Sequence, residues 1–280
     1  MDATANNLKT TNKGAIVGGI LCIVTAVVMG CFCVGSMIIN GISTLTYIIN
    51  SVSAFIDGFM TYGDIVYLQS VIVTLLKNLV AFCTMITSGV GAIALLVMGI
   101  VLLIKKSGKG MIIFSAVQIV LSLLNVLMHV GNYAIVFIIG FLANGRFSVV
   151  DLIFNSYVAN AICSVSVIIC WAVFAVAVVL IAKKKISTRG AATVTAIVTA
   201  ALFAVSRLLS VPASVWALFG PCYQLWSAGE SIDVIISYIT PSLISLPGSA
   251  ITSGIMAVLF AVTFFFVVKG ISNAYIQKEN

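Results

Sequence analysis

Residues 158–185 read VANAICSVSVIICWAVFAVAVVLIAKKK, twenty-five residues without a charge followed by three lysines. A helix needs about 20 apolar residues to cross the hydrocarbon core of a bilayer. No glycine or proline occurs from Phe147 through Thr188, so no backbone breaker interrupts the stretch. It predicts a spanning α-helix whose lysine-bearing end faces the cytoplasm, the side on which basic residues flanking spans collect.

Five more stretches read the same way: 15–39, 79–104, 111–130, 191–209 and 251–268. The composition agrees, at 62% hydrophobic and 8% charged residues. Soluble domains carry about 25% charge, and a chain this apolar would expose large greasy patches in water. The prediction is an all-α integral membrane protein with six transmembrane helices.

The joins between spans alternate in character. Lys105–Gly110 and Lys183–Gly190 are short and basic. The other three are long and hold Asp57, Asp64, Asp151, Glu230 and Asp233, five of the seven acidic residues. Seven of eight tyrosines, with Trp216 and Trp226, fall there or at their edges. Tyrosine and tryptophan prefer the headgroup level. A multi-pass protein of the cell membrane with cytoplasmic N- and C-termini follows. A competing reading makes the first span a cleaved lipoprotein signal, with Lys9 and Lys13 before an apolar run ending Val28-Met29-Gly30-Cys31. The run continues to Ile39, which favours a span.

Two marks repeat three times. K-x-[ST]-x-[KR]-G occurs at residues 9–14, 105–110 and 185–190. Two apolar residues, two others, a glycine and a charge occur at 59–64, 141–146 and 225–230. Gly63, Gly145 and Gly229 are 82 and 84 residues apart (145 − 63 and 229 − 145). These marks predict a single membrane domain over 1–280, built as three tandem helical hairpins with amphipathic outer segments. The repeats cover about 9–104, 105–182 and 185–269, in a pseudo-threefold arrangement. The glycines turn the chain, since glycine takes positive φ without a Cβ clash. Mitochondrial carriers also use three two-helix repeats, but their Pro-x-acid-x-x-basic motif is absent here, and no function follows from the likeness.

Finer expectations attach to the outer segments. The returning helix of the second unit is expected unbroken from Ser148 to Lys183. That of the first is expected from Asp64 to Ile104, with Gly89 and Gly91 as places to bend. Ile42, Leu45, Ile49, Val52, Ile56, Phe59 and Met60 recur at helical spacing, opposite Ser43, Thr44, Asn50, Ser51, Ser53 and Asp57. Such a helix lies flat on the membrane or caps the bundle; the plainer reading is a helix packed on its own protein. Pro212, Pro221, Pro241 and Pro247 predict a third outer segment made of short pieces.

Several functions are disfavoured. Of the fourteen basic residues behind the net charge of +7, eleven sit at the termini or in the two basic loops, which is a topology signal; no nucleic-acid footprint is present. The seven cysteines suggest no disulfide framework, and Cys31-x-Cys33 has no His or Asp nearby to complete a metal site. Gly18-Gly19 and Gly89-x-Gly91 follow no strand, so they read as close helix packing, not phosphate loops. No cofactor motif occurs. No carboxylate falls inside a span and His129 is the one histidine, so an enzyme is not expected.

Polar residues inside spans remain, and hydrocarbon penalises them. Gln118 and Asn125 lie seven apart and share a helix face; Arg207 and His129 lie near outer ends. They are candidates for a polar pathway opening outward. The plainer reading is hydrogen bonding between helices, snorkelling of Arg207 and simple packing of His129. The sequence therefore leaves two functions: a small-solute transporter or channel-like protein, or a non-transport protein such as an assembly factor, partner subunit, immunity protein or lipid-interacting protein with a protein partner at its outer face. In both, the lipid bilayer is the surrounding partner.

Overall fold

The computed structural model describes residues 2–38, 42–61, 65–105, 109–144, 153–154, 156–183, 185–186 and 188–276. The described residues form eight principal helices: α1 (Asp2–Ser36), α2 (Ile42–Thr61), α3 (Ile65–Lys105), α4 (Lys109–Asn144), α5 (Ser156–Ala182), α6 (Arg189–Leu208), α7 (Ser210–Ser227) and α8 (Ile232–Ile276). Six segments are long and apolar enough to cross a membrane: Gly14–Ser36, Val71–Ile104, Gly110–Ile135, Ser156–Ala182, Arg189–Ser227 and Ile232–Asn273. The fifth is longer than expected because only a one-residue turn at Leu209 separates α6 from α7.

The helices close into a ring. α1 packs along α3, α3 against α4, α4 along α5, and α5 against α6, α7 and α8; α6 lies along α8, and α8 returns to α1. Glycines let α1 approach both neighbours closely. A Cβ on Gly18 would lie 3.0 Å from the backbone nitrogen of Val267, and one on Gly99 would lie 2.8 Å from the carbonyl oxygen of Gly19. Thr25 and Thr263 share a buried 2.8 Å hydrogen bond across the α1–α8 seam. The Gly18-Gly19 pair is thus a packing device, since small residues let helix backbones meet.

The core concentrates at the end of the bundle holding Lys183 and Lys269. Leu95, Met98, Leu102, Met111, Trp171, Phe174, Phe203, Phe260, Phe264 and Ile271 are fully covered there. Five rings interlock. Phe203 stacks on Phe264 at 3.9 Å between centroids, and Trp171 meets both edge-on at 5.1 Å.

α2 forms as the spacing predicts, and Ile42, Leu45, Ile49, Val52 and Ile56 are 41–70% exposed. Thr44 and Ser51 are buried, while Asn50, Ser53 and Asp57 are exposed as well. Three sequence expectations change. Of the helix expected from Ser148 to Lys183, residues 148–152 and Asn155 lie outside the described residues; the chain bends at Phe154, and α5 begins at Ser156. Tertiary contact overrides helix propensity there. Trp216 donates from Nε1 to the Ile153 carbonyl at 3.1 Å and stacks on Phe154 at 4.6 Å, and Gly220 gives the Phe154 carbonyl room to approach α7.

The third outer segment is not made of short pieces. α7 holds Pro221 inside it, and α8 runs 45 residues through Pro241 and Pro247. Each proline removes one backbone bond, while Ser237, Thr240, Ser245 and Ser249 add side-chain bonds to carbonyls three or four residues back. α3 also runs unbroken through Gly89 and Gly91. Gly229 adopts a φ of +80° between α7 and α8. Gly63 and Gly145 lie outside the described residues.

A candidate solute cavity

The site starts on one face of α4. Gln118, Ser122 and Asn125 follow one another at four and three residues, one above the next. Two of them reach α3. Gln118 donates from Nε2 to the Gly91 carbonyl at 2.9 Å, and Asn125 Oδ1 lies 2.8 Å from Thr87 Oγ1. Gly91 makes room for the first contact, since a Cβ there would sit 3.3 Å from Gln118 Oε1. The hydroxyl of Thr87 also lies 3.0 Å from the Thr84 carbonyl, and its single hydrogen serves one acceptor at a time. Gln118 and Asn125 therefore bridge α4 to α3, and both also line open space.

That space is a cavity of about 290 Å³ to which α1 and α3 through α8 all contribute. Gln118 and Asn125 meet Ser164 of α5, Arg207 of α6, Ser210 of α7 and Ser253 of α8 there. A second space of about 320 Å³ shares Met29, Ser88, Arg207, Thr252 and Met256 with the first, and continues along α1 and α3 past Phe32, Ser36 and Thr84. Arg207 thus stands where the two spaces adjoin. Ser210, whose hydroxyl also lies 3.0 Å from the Arg207 carbonyl, pairs with Ser253 at 2.7 Å.

The aromatic core is the floor. Phe203 lies one turn before Arg207 on α6, and the Arg207 Cζ sits 4.1 Å from the centroid of the Phe260 ring, a cation–π geometry. Arg207 Nε is buried without a hydrogen-bond partner. The side chain lines the cavity. No Asp or Glu occurs at residues 65–150 or 152–229, nor at 234–278, so the helix segments around Arg207 supply no carboxylate to pair with it.

His129 stands apart from the other three candidates. It lies one turn beyond Asn125 on α4 and is 7% exposed, with Nδ1 unpartnered. It lines a separate, almost wholly apolar groove of about 320 Å³ between α4 and α5, with Tyr133, Tyr157, Ile162 and Val165. The cavity hydroxyls were not singled out by sequence. Ser and Thr are common in these spans and often bond their own helix, as Ser115 and Thr199 do. The available signal was spacing: Ser88 and Gly91 on α3 face Gln118, Ser122 and Asn125 on α4. No family model, curated protein or solved structure matches this chain, so the reading of the cavity rests on its own residues.

Proposed function

We propose that this chain is a multi-pass protein of the cell membrane with both termini in the cytoplasm, and that its cavity receives a small polar solute from the outer side, as in a transporter or channel-like protein. One observation carries the reading: polar residues from five of the six apolar spans converge on one shared space above an aromatic floor. Ligand sites typically pair an apolar wall with a few convergent polar groups, and polar groups inside a membrane mark solute pathways. The basic ends of α3 and α5 support a cytoplasmic floor side.

Three tandem hairpins belong to the same proposal. α1 with α3, α4 with α5 and α6 with α8 are the pairs in most extensive contact. The contacts joining α3 to α4, α5 to α6 and α8 to α1 follow the cyclic order that a pseudo-threefold repeat requires.

The test is cysteine labelling in intact cells, in a background lacking the seven native cysteines, with a membrane-impermeant maleimide. Gln118→Cys, Asn125→Cys and Ser164→Cys are expected to label, and Ser107→Cys and Ser187→Cys to label only after permeabilisation. Silence at all three cavity positions, with labelling at Glu230→Cys, sinks the solute reading.

A non-transport role draws its own support from the apolar surface outside the cavity. Ile42 and Tyr47 of α2, Trp226 of α7 and Ile244 of α8 are 60–74% exposed, a surface that suits a protein or lipid partner. Photo-crosslinking from Ile49, giving a discrete protein adduct in place of lipid adducts alone, would favour that reading.

A further inference from the structure

Resting on the solute reading above, we propose that the solute is a small anion carrying a carboxylate or other oxyanion group, and that Arg207 is the residue that binds it. A buried charge is costly unless paired, and proteins retain one inside a membrane where it has work to do. Arg207 stands between two adjoining spaces with Nε unpartnered, and its guanidinium lies over the Phe260 ring. An aromatic face compensates a cation only in part. The guanidinium presents a fixed fork of donors that matches a carboxylate or phosphate with two parallel hydrogen bonds.

The rest of the lining agrees. Its polar part consists of hydroxyls and two carboxamides, with Ser164, Ser210 and Ser253 among them, beside apolar residues such as Met29, Leu121 and Met256, and it has no acidic side chain. Hydroxyl and amide hydrogens add neutral donors around one fixed positive charge. A cationic solute would meet the guanidinium with nothing to offset it. A neutral solute would leave the charge unpaired in a space that shuts off bulk water at its aromatic end. An anion removes the penalty by entering.

The experiment compares two thiol reagents of similar size and opposite charge on the full-length protein. These are a sulfonate-bearing methanethiosulfonate and its trimethylammonium counterpart. Ser164→Cys in the cysteine-free background is the target; Asn125→Cys is the second site should the first variant fail to accumulate. Rates are normalised to those with 2-mercaptoethanol in solution. A like-signed cavity field raises local counter-ion concentration by about tenfold or more, so the normalised rate is expected to favour the anionic reagent by about tenfold. Arg207→Gln should bring that ratio to near one, and Arg207→Lys, which keeps the charge, should retain most of it. Equal rates for both reagents, or a preference for the cation, overturn the anion inference while leaving a wet cavity in place. No reaction with either reagent at both sites overturns the solute reading beneath it.

Discussion

The α1–α8 seam can be tested with one substitution made at two places on the same helix. Gly254 and Gly270 both lie in α8. A Cβ on Gly254 would meet nothing within 4 Å, whereas one on Gly270 would lie 2.7 Å from the backbone nitrogen of Ala15 and 2.7 Å from the carbonyl carbon of Gly14. Replacing either glycine by alanine gains about 0.8–1.0 kcal/mol of helix propensity. That gain cancels when the two variants are compared. What remains is steric. The obstructing atoms at Gly270 are backbone, which cannot rotate away as a side chain would, and overpacking of this kind costs about 1–3 kcal/mol. At about 2–4 °C per kcal/mol for a chain near this size, Gly270→Ala is expected to melt about 4–8 °C below Gly254→Ala for a cost near the middle of that range. The assay is thermal unfolding in one detergent, followed by aggregation of the purified protein. Equal melting temperatures, or Gly254→Ala the less stable, would refute the close approach of α1 and α8.

Three further outcomes follow from the packing. Thr25→Val and Thr263→Val each remove one half of a buried bond; the double variant should cost less than the sum of the singles by about 0.6 kcal/mol, the mean coupling for such pairs in membranes, read by denaturant titration in micelles. Trp216→Phe removes the bond to the Ile153 carbonyl but keeps a ring against Phe154. It should cost about 0.5–1.5 kcal/mol, and protease cleavage near Phe154 should quicken from wild type to Trp216→Phe to Trp216→Ala. Phe264→Ala removes the ring that touches Trp171, Phe174, Phe203 and Phe260. Thermal melting should show a loss smaller than the about 3–5 kcal/mol of a soluble core, because an unfolded span also rests in an apolar solvent.

The spans were legible because hydropathy over twenty residues is a strong, local signal. The six apolar segments overlap the runs that hydropathy marks, and the largest shifts are at the ends away from Lys105 and Lys183. Those ends were illegible for a physical reason. The bend at Phe154 is imposed by Trp216, 62 residues away in the chain (216 − 154), and the course of α8 through Pro241 and Pro247 depends on what each lost bond costs in that setting. At the cavity, Gln118, Asn125 and Arg207 stood out because amides and guanidinium are rare in these spans. The serines that complete the lining did not, since an exposed serine and a cavity serine are alike in sequence. His129 shares the helix face of Asn125 by spacing, yet one turn of rise carries it past the cavity into a groove against α5.

The seam that joins α1 to α8 also orders events during synthesis. Thr25 meets Thr263, 238 residues later, and Gly14 and Gly18 rest on Gly270 and Val267. At about 5–20 residues per second, a ribosome needs about 12–48 s to make the partner that α1 requires. Throughout that interval the glycine face of the first helix stands without the partner it packs on. The ring closes last and from its oldest member, so a chain that stops before α8 leaves its first helix with one side unmade.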